Sequence, residues 1–174
     1  MFRLTESPRL GEFEREVLPH LDAAYNLARF LMRNDQDAED VVQEASLRAF
    51  RFFENFRGEN SRAWFLKIVR NTSFTALKKN RPEEMNVVFD EELHGAQTPT
   101  IDPGAAIDRV QDRQTVRAAI EQLPIEFREV VTLRELEGAS YKEIADVAGV
   151  PIGTVMSRLA RARNQLQTIL SKTK

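Results

Sequence analysis

Apolar residues in this chain recur every three or four positions, and nowhere do they alternate over the length of a strand. Phe13, Val17, Leu21, Ala24, Ala28 and Leu31 predict an amphipathic helix over 12–33. Ala38, Val41, Val42, Ala45, Ala49, Phe52, Phe53 and Phe56 predict a second, opened by the polar run Asn34-Asp35-Gln36-Asp37. Residues 56–60 read as a loop, with Gly58 ending one helix and Asn60 or Ser61 capping the next. A third helix follows over 61–80, stopped by Pro82. After an aperiodic stretch, a second helical block comprises a helix over 107–122, one from Pro124 to near Gly138, a short one opened by the capping box Ser140-Tyr141-Lys142-Glu143, and a last one from Pro151 to about Ser171. Seven glycines and seven prolines are too few for a protein that turns every ten residues or so. The expected fold is all-α, with two small helical domains (10–82 and 107–172) on an acidic flexible linker (83–106), the second containing a helix-turn-helix.

The formal net charge of −2 hides strong segregation. Residues 34–47 carry five acids and no base, and 61–82 carry six bases and no acid. Residues 83–108 then carry seven acids and no base, and 147–174 five bases and no acid. Two basic blocks separated by an acidic one imply two separate anion-binding surfaces. Absence of cysteine excludes disulfides and thiolate metal sites and suits a reducing cytoplasm. No signal-like start and no long apolar run are present, so no membrane insertion is expected.

The stretch 141–155 meets the requirements of a helix-turn-helix. Ala145 is small where two crossing helices touch, Gly149 can supply the positive φ of the turn, and Ile144, Ala148, Val150 and Val155 can fill the core between them. In the last helix Val155, Leu159, Ala162, Leu166 and Ile169 form a buried stripe, with Thr154, Ser157, Arg158 and Arg161 set opposite as DNA contacts. Arginine can take guanine with two hydrogen bonds, and threonine and serine suit bases or phosphate. On the third helix Lys67, Arg70, Asn71, Phe74, Lys78 and Arg81 share one face, opposite a core side of Phe65, Ile68, Val69, Thr72 and Ala76. Such a face can hold phosphates and contact an unstacked base. Phe74 either makes that contact or closes the edge of the core, whereas Trp64 falls on the core side.

With these residues in view the chain resembles the compact extracytoplasmic-function group of bacterial sigma factors. The stretch Asp37-Ala38-Glu39-Asp40-Val41-Val42-Gln43-Glu44 is similar to that group's core-polymerase-binding helix. Arg62-Ala63-Trp64-Phe65 with Arg70-Asn71 resembles the helix that meets the minus-ten promoter element. Leu123-Pro124, Tyr141-Lys142-Glu143-Ile144-Ala145 and the run from Gly153 to Arg163 resemble the domain that reads the minus-thirty-five element. The resemblance implies that core RNA polymerase and promoter DNA are the partners. It gives Asp37, Asp40, Gln43 and Glu44 to polymerase, and Asn60 in the loop 57–61, with Lys67, Arg70, Asn71, Phe74 and Lys78, to the downstream element. Thr154, Ser157, Arg158 and Arg161 go to the upstream element, the linker to the RNA exit path, and an anti-sigma factor is implied as a regulator. With only a short tail after the last helix, no sensory domain of its own is expected.

Three other readings compete. A helix-turn-helix regulator whose N-terminal helices only dimerise leaves the basic face of the third helix unexplained. A decoy that binds an anti-sigma factor but not DNA predicts erosion of Arg158, Arg161 and the third-helix bases, all of which are present. A metal-dependent nuclease would use Asp37, Asp40 and Glu44, which share a helix face. No Ser, Lys or His base is placed near those acids, and His20 and His94 lie in unrelated contexts. The expectation is therefore of a protein with no catalytic residue, metal or cofactor.

Overall fold

The computed structural model describes residues 8–85 and 110–173, which divide into two compact units, Met1–Ala76 and Leu77–Lys174. Helices account for every regular element among the described residues. The predicted helix over 12–33 is two helices, α1 (Pro8–Val17) and α2 (Leu21–Met32), joined by a 3-10 turn at Leu18–His20. Pro19 explains the break, because it lacks the N–H that a continuous helix needs. The apolar stripe runs through the break, so periodicity alone could not reveal it. Asn34 caps α3 (Asp35–Phe52) by accepting from the Asp37 N–H at 2.9 Å. That helix stops short of Phe56, which has extended backbone after a 3-10 turn at Phe53–Asn55.

The first unit's core lies where α2 packs on α3. Leu27, Ala28 and Leu31 on α2 and Ala38, Ala45 and Ala49 on α3 are fully buried, and the alanines allow close approach of the two axes. Aromatic rings close its end, with Phe13 edge-on to Phe50 at 5.2 Å and to Phe53 at 5.5 Å. Trp64 sits half-buried beside Phe56 and Phe53. Arg9 ties α1 to the end of α3 by donating to the Phe50 carbonyl at 2.8 Å. The helix α4 (Ser61–Asn80) begins at Asn60, whose Oδ1 accepts from the Ala63 N–H at 3.0 Å. Phe65 and Val69 are buried as expected, and Thr72 too, with its hydroxyl turned onto the Ile68 carbonyl. Ile68 and Ala76 are only half-buried, and Leu66 and Ser73 share the buried side in their place. A 3-10 turn at Pro82–Glu84, with Glu84 paired to Arg81 at 3.3 Å, orders the first residues assigned to the linker. The remainder of that stretch, 86–106, lies outside the described residues, as do 107–109 of the next expected helix.

In the second unit α5 (Val110–Glu121), α6 (Ile125–Val131) and α7 (Tyr141–Ala148) all pack on α8 (Ile152–Lys172). Pro124 starts α6, but the helix does not run evenly to Gly138. It widens into a π turn at Thr132–Leu136 before Gly138 takes φ +64°. Two charged side chains of α6, Arg128 and Glu129, are buried, and Arg128 Nη1 donates to the Leu123 carbonyl at 2.7 Å. Ser140 closes the expected capping box on α7, accepting from the Glu143 N–H at 3.1 Å while Glu143 accepts from the Ser140 N–H. Gly149 has φ +69° and donates to the Ala145 carbonyl, so the turn into α8 is built where glycine is needed.

Candidate nucleic-acid interface

Burial decides which face of α8 is available. Val155, Leu159 and Ala162 are buried, whereas Leu166 and Ile169 are only half-buried, so the stripe is tight near the turn and loosens along the helix. Ile144 and Ala148 of α7 are buried against this side of the motif, with Val150 half-buried at the turn. Ser157 is exposed and donates to the Thr154 carbonyl at 3.0 Å, and Thr154 itself is half-buried in the first turn. Arg158 and Arg161 are both half-buried. They are not equivalent, because Arg158 adjoins the buried Leu159 and its Nε is enclosed by protein. Helical geometry puts Arg161 farther from the stripe, beside Ser157. Arg158 thus lies on the flank of the helix and not opposite the stripe, as its spacing had suggested. Arg163 is half-exposed and tied within the unit, donating to Glu135 Oε1 of the π turn through Nη2 at 2.6 Å and Nε at 3.0 Å. Burial is the largest single influence and would make Arg163 easier to deprotonate, but the bond and charge of Glu135, with those of Tyr141, together outweigh it and raise its pKa. Periodicity missed two large exposed side chains at the start of α8, Ile152 and Met156.

Of the face expected on α4, Lys67, Arg70, Asn71, Phe74 and Lys78 lie on the helix, whereas Arg81 falls just past its end and pairs with Glu84. Lys67, Asn71 and Lys78 are exposed, with Arg70 and Phe74 half-buried between them. The Arg70 guanidinium lies 3.8 Å from the centre of the Phe74 ring, and its Nη1 is 3.4 Å from Asn71 Oδ1. Arginine over the ring makes Phe74 a platform for a cation. Asn60 is exposed beside Gly58, which has φ +82°, but its amide oxygen is already engaged as the cap of α4. His20 Nε2 is 3.2 Å from Ser61 Oγ at the same helix start. Burial, and then the nearby Arg62 charge, lower the His20 pKa from its ordinary value, with Glu16 opposing them.

The acidic face of α3 differs in detail from its expected layout. Asp40, Gln43 and Glu44 are exposed, Asp40 accepting from Gln36 at 3.1 Å and Glu44 pairing with Arg48 at 3.0 Å. Asp37 is half-buried in the first turn, and Val42 is half-buried where full burial was expected. Exposed Leu47 continues the face, so the surface is mixed and not purely acidic. Gln43 and Leu47 also border an open apolar depression of about 440 Å³, floored by Phe13, Val17 and Phe50. Among the described residues no three acids or histidines come together to hold a metal, and no helix is long and apolar enough to cross a membrane.

Comparison with known proteins addresses both halves of the chain. Residues 17–83 match the profile of sigma-70 region 2, and residues 113–166 match that of sigma-70 region 4. The chain is 36% identical over 148 residues to the ECF RNA polymerase sigma-E factor of Haemophilus influenzae, covering 81% of this chain and 77% of that one. It belongs to the extracytoplasmic-function sigma factors of the sigma-70 family. The RNA polymerase sigma-H factor of Pseudomonas aeruginosa is 35% identical over 178 residues, spanning 97% of this chain and 92% of that one. Among solved structures, the sigma factor RpoE of Bartonella quintana, crystallised with the anti-sigma factor NepR, superposes with a TM-score of 0.70 at 32% identity, covering 92% of this chain and 97% of that one. The fold is shared with CnrH, solved with the cytosolic domain of CnrY, at a TM-score of 0.68 and 23% identity, over 98% of this chain and 93% of that one. The region 2 match contains the acidic face of α3 and the basic face of α4, and the region 4 match contains α7 and the first part of α8.

Proposed function

We propose that this sigma factor joins core RNA polymerase in the cytoplasm and directs it to promoters, dividing the work among three surfaces and catalysing nothing itself. The exposed Asp40, Gln43 and Glu44 of α3, with Asp37 at their edge, dock on polymerase. Lys67, Arg70, Asn71, Phe74 and Lys78 of α4, with Asn60 in the preceding loop, meet the downstream promoter element. Thr154, Ser157, Arg158 and Arg161 of α8 meet the upstream element, Arg158 from the flank. The domains are 10–82 and 107–172, with 83–106 as the tether. By analogy with relatives solved with NepR and CnrY, an anti-sigma factor restrains this chain when its promoters are silent.

The observation that carries this reading is the pairing, within one family match each, of an acid-and-amide face with a basic face in region 2 and an acid-free arginine helix after a sharp turn in region 4. The test is promoter-dependent RNA synthesis by core polymerase with and without this chain, run beside Asp40→Ala with Glu44→Ala. The double variant is expected to melt near the wild-type temperature, because both carboxylates are exposed and Glu44 loses only a surface ion pair. It is also expected to lose capture by core polymerase. Transcription at the wild-type level by the double variant would remove the docking assignment.

A further inference from the structure

The side of α8 farthest from its buried stripe is nearly bare. Gly153, Ser157 and Ala160 run along it, and a Cβ added at Gly153 would meet nothing within 4 Å. No packing in the fold therefore calls for glycine there, although glycine is unfavourable in a helix. One flank of this strip carries Arg161. The other carries Met156, 53% exposed, with Ile152 one turn earlier at 45%. Two large apolar side chains left in water within one turn, on a helix with no acid from 152 to 172, need a partner that is apolar locally and anionic overall.

Duplex DNA has that combination. Its phosphates suit the arginine-bearing helix, and in the major groove the thymine C5-methyl is the apolar group that a base pair presents. We propose that Met156 is a specificity-determining residue that contacts the methyl group of one thymine in the upstream element. The inference rests on α8 being the helix that reads that element. An unbranched, polarisable thioether can follow a methyl group whose position shifts slightly between promoters. The bare strip lets the helix sit deep in the groove, so that Met156 and Arg161 meet base edges of different chemistry on its two sides.

The test replaces thymines by deoxyuridine, which removes only the methyl group. The full chain, assembled with core polymerase, first selects its upstream element from random duplexes, and each thymine in the winners is then replaced in turn. Wild type is expected to lose about four-fold in affinity at one thymine, the factor for burying one methyl group. Met156→Ala should bind the thymine and uracil duplexes equally, while Met156→Leu keeps the difference. The proposal is overturned by a flat uracil scan in wild type, or by an unchanged scan in Met156→Ala. It is also overturned if Met156→Ala weakens binding to core polymerase without DNA, which would put a protein on this patch. Arg161→Ala separates the two levels of failure. If it loses the upstream element while the methyl effect is absent, α8 still reads DNA and only the methionine is misassigned. If it too binds normally, the helix is not the reader.

Discussion

Gly149 and Gly153 stand four positions apart and should respond to the same substitution with opposite signs. Gly149 holds φ +69° at the end of α7, where a β-carbon strains the backbone by about 1–2 kcal/mol. Gly149→Ala is therefore expected to lower the melting temperature of the second unit. Gly153 lies in the first turn of α8 with open space around it, so Gly153→Ala should stabilise by about 0.5 kcal/mol. A thermal melt of the two variants checks both signs. His20 gives a pH test at the same scale. Its folded pKa is lowered, so below the ordinary 6.5 the unfolded chain takes up a proton before the folded one does. Stability should fall as pH drops from about 6.5 toward the folded value and level off beneath it. His20→Asn should flatten that part of the profile when denaturant midpoints are compared, and a stability that rises on acidification would contradict the sign.

At the scale of elements, α6 and α8 of the second unit are each used for something besides an apolar stripe. Arg128 is buried on α6, yet it serves the corner before the helix by donating to the Leu123 carbonyl. Replacing it by methionine keeps much of the volume and orphans the carbonyl, which should cost about 1.5–3 kcal/mol. Circular dichroism on heating would show this as an earlier transition, with none of the outward residues of α8 altered. The arginines of α8 likewise divide by destination. Arg163 is held by Glu135 and Arg158 is partly enclosed, whereas Arg161 lies farther out. Arg161→Ala should weaken binding to the upstream element by about 1–3 kcal/mol if it takes guanine with both donors. Lysine there should rescue a phosphate contact but not a guanine contact, because an ammonium has no planar fork. Comparing binding of the two variants across base-substituted duplexes separates those cases.

For the whole molecule, charge segregation along the chain is the organising feature. No base occurs from 83 to 108, so trypsin has no site in that stretch while a glutamate-specific protease has four, at Glu83, Glu84, Glu91 and Glu92. If 83–106 is the tether, the first glutamate-specific cuts should fall at Glu91 or Glu92 and release two folded helical pieces. Earliest cuts within α3, at Glu39 or Glu44, would defeat the two-domain division. The piece that keeps α5–α8 should bind free duplex DNA more tightly at low salt than the full chain does, because the acidic stretch no longer competes for the basic helix. Raising the salt concentration should narrow that difference.

Local chemistry was enough to determine much of this protein from sequence. The periodicity of Ala38 to Ala49, the capping box at Ser140 and the left-handed Gly149 all act between residues a few positions apart, and each is found as expected. Pro19 was legible in principle, since its missing N–H is also a local fact, but a continuous apolar stripe masked it. What tertiary structure decided is which polar side chains are available to a partner. Arg158, Arg161 and Arg163 are the same residue type within two turns of one helix. The π turn after α6 ties Arg163 to Glu135, and surrounding protein encloses the Nε of Arg158. The same holds for Phe74, whose ring is taken by Arg70, and for Leu47 and Met156, which apolar character would place inside and which the packing of neighbouring helices leaves in water. Burial depends on distant parts of the chain, and for that reason periodicity could locate the faces without assigning every residue on them.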